Sequence, residues 1–223
     1  GGTINIDTGE GDDNITIVEG APIIIESLDA GVGTDTLSIY SVGSVTVPAF
    51  QNIENFFLSD TVHQSLDFSF SVNLEGIELS SGTTIDGSTI TTTLGEGQSL
   101  TINGITDGDT AAASLADGGI IISQASSITS LNLTLDDVGP DTSIANENVF
   151  IDIAGTGAST MNVTSGNDSF VVISNSGGAL TSLGLLGSGT IALGTLPTSV
   201  TNVNGASATA NLTLTIGCHP NYY

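Results

Sequence analysis

Apolar and polar residues alternate along much of the chain, as in Thr3-Ile4-Asn5-Ile6, Asp67-Phe68-Ser69-Phe70-Ser71-Val72, Ser99-Leu100-Thr101-Ile102, Leu131-Asn132-Leu133-Thr134-Leu135 and Asn211-Leu212-Thr213-Leu214-Thr215-Ile216. A period of two sends every second side chain to one face, so each phrase reads as a strand with one buried and one outer face. The polar partners are mostly Thr, Ser and Asn, and no segment sustains a 3.6-residue apolar period; very little helix is expected. Glycine punctuates the strands at Gly76, Gly82, Gly87, Gly95/Gly97, Gly104, Gly108, Gly118/Gly119, Gly155/Gly157, Gly177/Gly178 and Gly187/Gly189. Those intervals suit short strands joined by tight turns.

Between residues 73 and 105 the phrases 74–79, 83–85, 89–91 and 95–102 follow one another like successive coils, and the style returns at 193–203 and 211–214. The expected fold is all-β: a parallel β-solenoid of the β-helix or β-roll kind, with a calcium-stabilised β-sandwich as the alternative. Irregular strand spacing and Pro48, Pro140 and Pro197 at turns leave both open. With 223 residues the chain can bury a sizeable core as one large β domain or two small ones. The organisation expected is a cation-binding segment over 1–40, a β-rich repeat region over 41–217 and a tail over 218–223, compositionally foreign to the rest.

Two stretches carry chemistry. Asp7-Thr8-Gly9-Glu10-Gly11-Asp12-Asp13 and Asp29-Ala30-Gly31-Val32-Gly33-Thr34-Asp35 share the spacing D-x-G-x-G-x-D, and each leads into a strand. Glycines let a backbone turn tightly with its carbonyls aimed inward, and the carboxylates add hard anionic oxygens of the kind Ca²⁺ gathers at about six to eight positions. Read as nonapeptides from Gly9 and Gly31, both fit G-x-G-x-D-x-U-x, with Ile15 and Leu37 as the apolar U.

These motifs resemble the calcium-binding nonapeptides of the repeats-in-toxin (RTX) family. The resemblance implies that turns of successive coils hold calcium between them while U points into a parallel β-roll. Carried over by position, Asp13 and Asp35 are the principal side-chain ligands. The carbonyls of Gly9, Gly11, Gly31 and Gly33 join them, with Asp7, Asp12 and Asp29 as auxiliary ligands. The family's toxins carry longer tandem runs, whereas here two full copies occur, 22 residues apart. A local calcium clamp is therefore expected rather than a long β-roll. The Thr/Ser/Gly/Asn strands, with Phe50, Ile53 and Phe56 after the second turn, are similar in style to calcium-dependent bacterial S-layer and related secreted surface proteins.

A third candidate, residues 165–170, keeps G-x-D-x-U with Asp168 as ligand but has Thr164 at the first glycine position. Gly155 and Gly157 keep the glycine spacing but place Ser159 where the Asp belongs, which reads as an eroded turn. Asp107-Gly108-Asp109, Asp136, Asp137 and Asp141 read as ordinary turn formers.

Charge narrows the partners. Twenty-four acidic residues face no Lys and no Arg, for a formal net charge of −24, which counterions must neutralise. Nucleic acid is excluded, because its affinity rests on Lys/Arg contacts to phosphate, and anionic membranes repel such a chain. With 39% hydrophobic residues it is no disordered polyanion. The longest purely aliphatic run, Ile23-Ile24-Ile25, is far short of the roughly 20 residues that span a bilayer. No charged-then-apolar leader opens the chain, so any leader is expected to have been removed or to lie outside it. Cys218 has no second cysteine to pair with internally. Sequons of the N-x-S/T type stand at Asn14, Asn132, Asn162, Asn167 and Asn211 and read as chance products of Thr-rich strands.

Catalysis is not expected. The two histidines, His63 and His219, sit in neither a nucleophile elbow nor a zinc-binding helix, and Cys218 and His219, adjacent in an extended chain, point apart. Paired carboxylates could serve a glycosidase, but Trp, Arg and Lys are all absent. The function expected is that of a secreted, extracellular structural protein of the bacterial cell surface: an S-layer, filament or matrix subunit. It would fold and self-assemble into a homo-oligomer or homopolymer as Ca²⁺ closes the Asp/Gly turns. The alternative is a calcium-stabilised adhesin or carbohydrate-binding module that meets surface glycans.

Overall fold

In the computed structural model, residues 3–18, 24–40, 50–59, 64–71, 73–80, 89–106, 119–139 and 148–216 are described, and they hold strands and no helix. His63, Asp107, Asp109, Asp141, Cys218, His219, Pro48, Pro140 and the 218–223 tail lie outside the described residues. Strands visit two faces in turn. One face carries β2 (Asn14–Val18), β4 (Thr36–Tyr40), β6 (Asn55–Ser59), β8 (Gly76–Ser80), β10 (Ser99–Asn103), β12 (Ser130–Asp136), β14 (Thr160–Ser165), β16 (Ser182–Gly187) and β18 (Asn202–Ala208), stacked in chain order as one nine-stranded sheet. The other carries β1 (Thr3–Asp7), β3 (Ile24–Asp29) and β5 (Phe50–Gln51) as a short sheet. It continues with β7 (Gln64–Asp67), β9 (Thr89–Leu94), β11 (Gly119–Gln124), β13 (Val149–Ile153), β15 (Ser169–Ser174), β17 (Ile191–Leu196) and β19 (Leu212–Ile216) as a seven-stranded one.

Apart from β5 and β7, which belong to separate sheets, each strand pairs with the next but one along the chain, and all sixteen pairings are parallel. This is a β-solenoid, and the sandwich alternative falls away. The two glycine-rich turns belong to the first coils of this stack: β4 pairs with β2 on one side and with β6 on the other.

In-register stacking turns the alternation of the sequence into continuous columns. Leu37, Phe56, Ile77, Leu100, Leu133, Val163 and Leu185 are successive partners across the long sheet, and all are buried. Ile90, Ile120, Ile151 and Ile173 do the same opposite them. Full burial of one such side chain stabilises the fold by about 1.5–3 kcal/mol, which lets a chain without a single Lys or Arg hold together on its core. The outer column of the long sheet runs Asn14, Thr36, Asn55, Gly76, Ser99, Asn132, Asn162, Gly184, Asn204. Asn162 Nδ2 donates to Asn132 Oδ1 at 3.0 Å. The sequons at Asn14, Asn132 and Asn162 follow from this geometry, since a residue and the one two further on share a face.

Two details depart from the alternation. The phrase 67–72 reads as one strand, yet β7 ends at Asp67. There the Asp67 carboxylate accepts from both the backbone N–H and the hydroxyl of Ser69, and Ser71 N donates to the Phe68 carbonyl. A side chain that bonds its own backbone two residues on makes a turn, and Phe70 ends up 88% exposed. Coil length also varies: contacts between neighbouring coils link residues 22, 19, 21, 30 and 20 apart. The longer connections lead out of the long sheet, from Asn103 to Gly119 and from Asp136 to Val149, while the returns from Leu94 to Ser99 and from Gln124 to Ser130 stay short.

Candidate cation site at the glycine-rich corner

The turns 8–13 and 30–35 lie one above the other where the chain enters β2 and β4. They approach so closely that only glycine fits. A Cβ on Gly31 would stand 1.8 Å from the Gly9 carbonyl oxygen, and one on Gly33 would stand 2.0 Å from that of Gly11. Gly31 also has φ +87°, in the left-handed region that disfavours side chains. Val32 N donates to the Gly9 carbonyl at 2.9 Å and Gly11 N to the Val32 carbonyl at 2.8 Å, so the two turns are hydrogen-bonded as well as stacked.

The residue just before the strand in each turn is the last aspartate of the motif, Asp13 and Asp35. Asp35 is fully buried. Its Oδ1 accepts the Asp13 backbone N–H at 2.7 Å, while its Oδ2 is enclosed without a hydrogen-bond partner, as is Oδ2 of Asp13. A buried carboxylate oxygen with nothing to bind is costly. Hard and anionic, the two oxygens are of the kind that Ca²⁺ takes as ligands. The Gly9 carbonyl, though already hydrogen-bonded to Val32, keeps a second lone pair. Among the described residues no three His, Cys, Asp or Glu side chains gather as a metal-holding group. A cation at this corner would therefore draw on backbone oxygens beside the two carboxylates.

The auxiliary candidates are placed differently. Asp29 Oδ1 accepts Gly31 N at 3.0 Å and Asn52 Nδ2 at 2.8 Å. Asn73 in turn donates to Asn52 at 3.2 Å, so Asp29 starts a polar ladder that braces the corner. Asp12 Oδ1 accepts Thr34 N at 2.8 Å, a bond between coils. Asp7 is exposed, and its backbone pairs with Asp29. Asp168 lies at the opposite corner, ahead of β15 on the other face. There it accepts Thr190 N at 2.7 Å, and hydrogen bonding from Thr190 holds its carboxyl below the ordinary value. The structure brings Asp13, Asp35 and the four glycines together and leaves Asp168 apart.

Sequence reasoning missed two occupants of this corner. Glu54, ahead of β6, accepts Asp35 N through Oε2 at 2.8 Å, continuing the acidic column; its turn is three residues shorter and has no glycine, so no motif marks it. Gln98, ahead of β10, is buried. Its Oε1 accepts Gly95 N at 2.7 Å and its Nε2 donates to the Phe68 carbonyl at 3.0 Å. It takes the same position with an amide that satisfies itself. No protein-family model, curated protein or solved structure matches this chain.

Proposed function

We propose that this chain is a secreted structural protein of the bacterial cell surface: an S-layer, extracellular filament or matrix subunit of the RTX-like kind that folds and self-assembles on binding Ca²⁺. The observation that carries the reading is the buried, unpartnered Oδ2 of Asp35, the residue that ends the second of two stacked glycine turns. Calcium held by Asp13 and Asp35 together with carbonyls of Gly9, Gly11, Gly31 and Gly33 supplies the missing partner, and its binding energy becomes folding energy. Low cytoplasmic calcium leaves the acidic chain loose during export. Outside the cell the first coils close, and copies associate through strand edges that no Lys guards. The reading assigns the chain no catalytic step.

The test is far-UV circular dichroism with sedimentation velocity on one sample, in calcium and after excess chelator, at two concentrations. Loss of β signal together with dispersal of large particles supports the proposal. A monomer that keeps its β signal and its melting temperature in chelator refutes it.

A further inference from the structure

We infer that the solenoid also carries a binding groove for a neutral saccharide, at the same corner as the proposed cation site but three coils further along. The inference stands on different residues and does not rest on the calcium reading. The turn 68–71 between β7 and β8 and the turn 95–98 between β9 and β10 flank a cleft of about 940 Å³, toward the upper end of the roughly 300–1,000 Å³ of small-molecule sites. Its floor is formed where the outer column of the long sheet carries two small residues in succession, Gly76 and Ser99, between Asn55 and Asn132. Those three strand spacings make a trough of roughly 14 Å, the length of two or three linked sugar rings.

Three properties of the groove select its ligand. Phe70 stands at its lip 88% exposed, a large apolar ring that no core packing explains and that offers a flat face to the C–H side of a pyranose. Asn55, Asn73, Glu75, Glu96 and Asn132 line the rest and provide amide donors and carboxylate acceptors for hydroxyl groups. Two carboxylates with no Lys or Arg anywhere in the chain repel an anionic polysaccharide, which leaves a neutral one.

The groove is also held in shape before any ligand arrives. Gln98 is buried beneath it and ties the two flanking turns together, accepting from Gly95 N and donating to the carbonyls of Phe68 and, at 3.4 Å, Ser71. A site whose walls are fixed in advance loses less free energy to ordering on binding. The solenoid would thus be a binding module as well as a building unit.

The experiment titrates the full chain, in calcium buffer, with cellohexaose, chitohexaose and maltohexaose up to millimolar concentration, read by calorimetry and by ¹H–¹⁵N shift changes. Heparin serves as the anionic control. At least one of the three is expected to bind and to shift Phe70, Gly97 and Ser99, and heparin to leave them unmoved. Phe70→Ala should weaken that binding by about tenfold or more with an unchanged melting temperature, because Phe70 packs against little. Gln98→Ala should weaken it too, through looser turns, while Glu96→Gln keeps the fold and lowers affinity less. No binding by any of the three, or equal affinity in Phe70→Ala, overturns the inference. So does a Phe70→Ala variant whose only change is dispersal of assembled particles, which would make the groove a contact between copies.

Discussion

The corner that leads into the long sheet contains two glycine stacks built to one plan. Near the start of the chain Gly31 lies on Gly9, and Asp35 and Asp13 precede the strands. Near its end Gly177 lies on Gly155, where a Cβ would stand 2.3 Å from the Gly155 carbonyl oxygen, and Thr181 and Ser159 precede the strands. Both pairs of turns are 22 residues apart. The later stack closes itself: Ala158 and Leu180 are fully buried at the corner, and Thr181 Oγ1 reaches the Ser159 carbonyl at 3.1 Å. In the earlier stack the residues one place further from the strand, Asp12 and Thr34, are exposed, and a carboxylate with an idle oxygen is enclosed instead. Glycine spacing therefore builds the turn in both places, and what sets the earlier corner apart is an enclosed carboxylate where the later one has a buried apolar pair, the difference on which the proposed cation site rests.

That contrast can be broken at either end. The largest effect is expected from Leu180→Ala, which empties the later corner: about 2–5 kcal/mol lost, equal in calcium and in chelator, by denaturant unfolding. Gly31→Ala should cost about 2–4 kcal/mol, through overpacking and a left-handed φ. Gly177→Ala should do comparable damage without touching the response to calcium. Calcium itself, at about a hundred times its dissociation constant, should stabilise the parent by about 2.7 kcal/mol. Asp35→Asn should abolish that gain while leaving the metal-free protein no less stable than the parent, since it removes the charge beside an unpartnered oxygen. If Asp35→Asn responds to calcium like the parent, the comparison fails.

The smallest effect belongs to Asp168. Its carboxyl is held below the ordinary value of 3.8 by hydrogen bonding from Thr190. A depressed folded-state value adds stability that is present above the unfolded-state value and lost as pH falls through the folded one. Because the group is exposed, solvent screening keeps that contribution small. The melting temperature of Asp168→Asn should lie slightly below that of the parent near neutrality, and the gap should close as pH drops below about 3.8.

The parallel stack was legible because the same alternation that marks a strand also sorts residues into columns once strands align in register. The glycine turns were legible because an overlap of backbone on backbone tolerates no other residue. Less could be read where tertiary contact decides. Phe70 continues the alternation of Phe68, yet the Asp67 carboxylate bends the chain and turns the ring outward. Glu54 and Gln98 occupy the place of Asp35 in turns of other lengths, and a rule based on spacing passes over both. Asp168 fits the motif as well as an eroded copy can, and only the topology shows that it belongs to the opposite corner.

Because neighbouring strands set the rise along the axis, the distance from β2 to β18 is fixed at eight spacings, roughly 38 Å, however many residues each coil contains. The longest connections in the sequence, from Asn103 to Gly119 and from Asp136 to Val149, both follow strands of the long sheet and leave this spacing untouched. Insertions and deletions between strands would therefore change the number of residues in a coil without changing the length of the stack, as neighbouring coils 30 and 20 residues apart already do within one ladder.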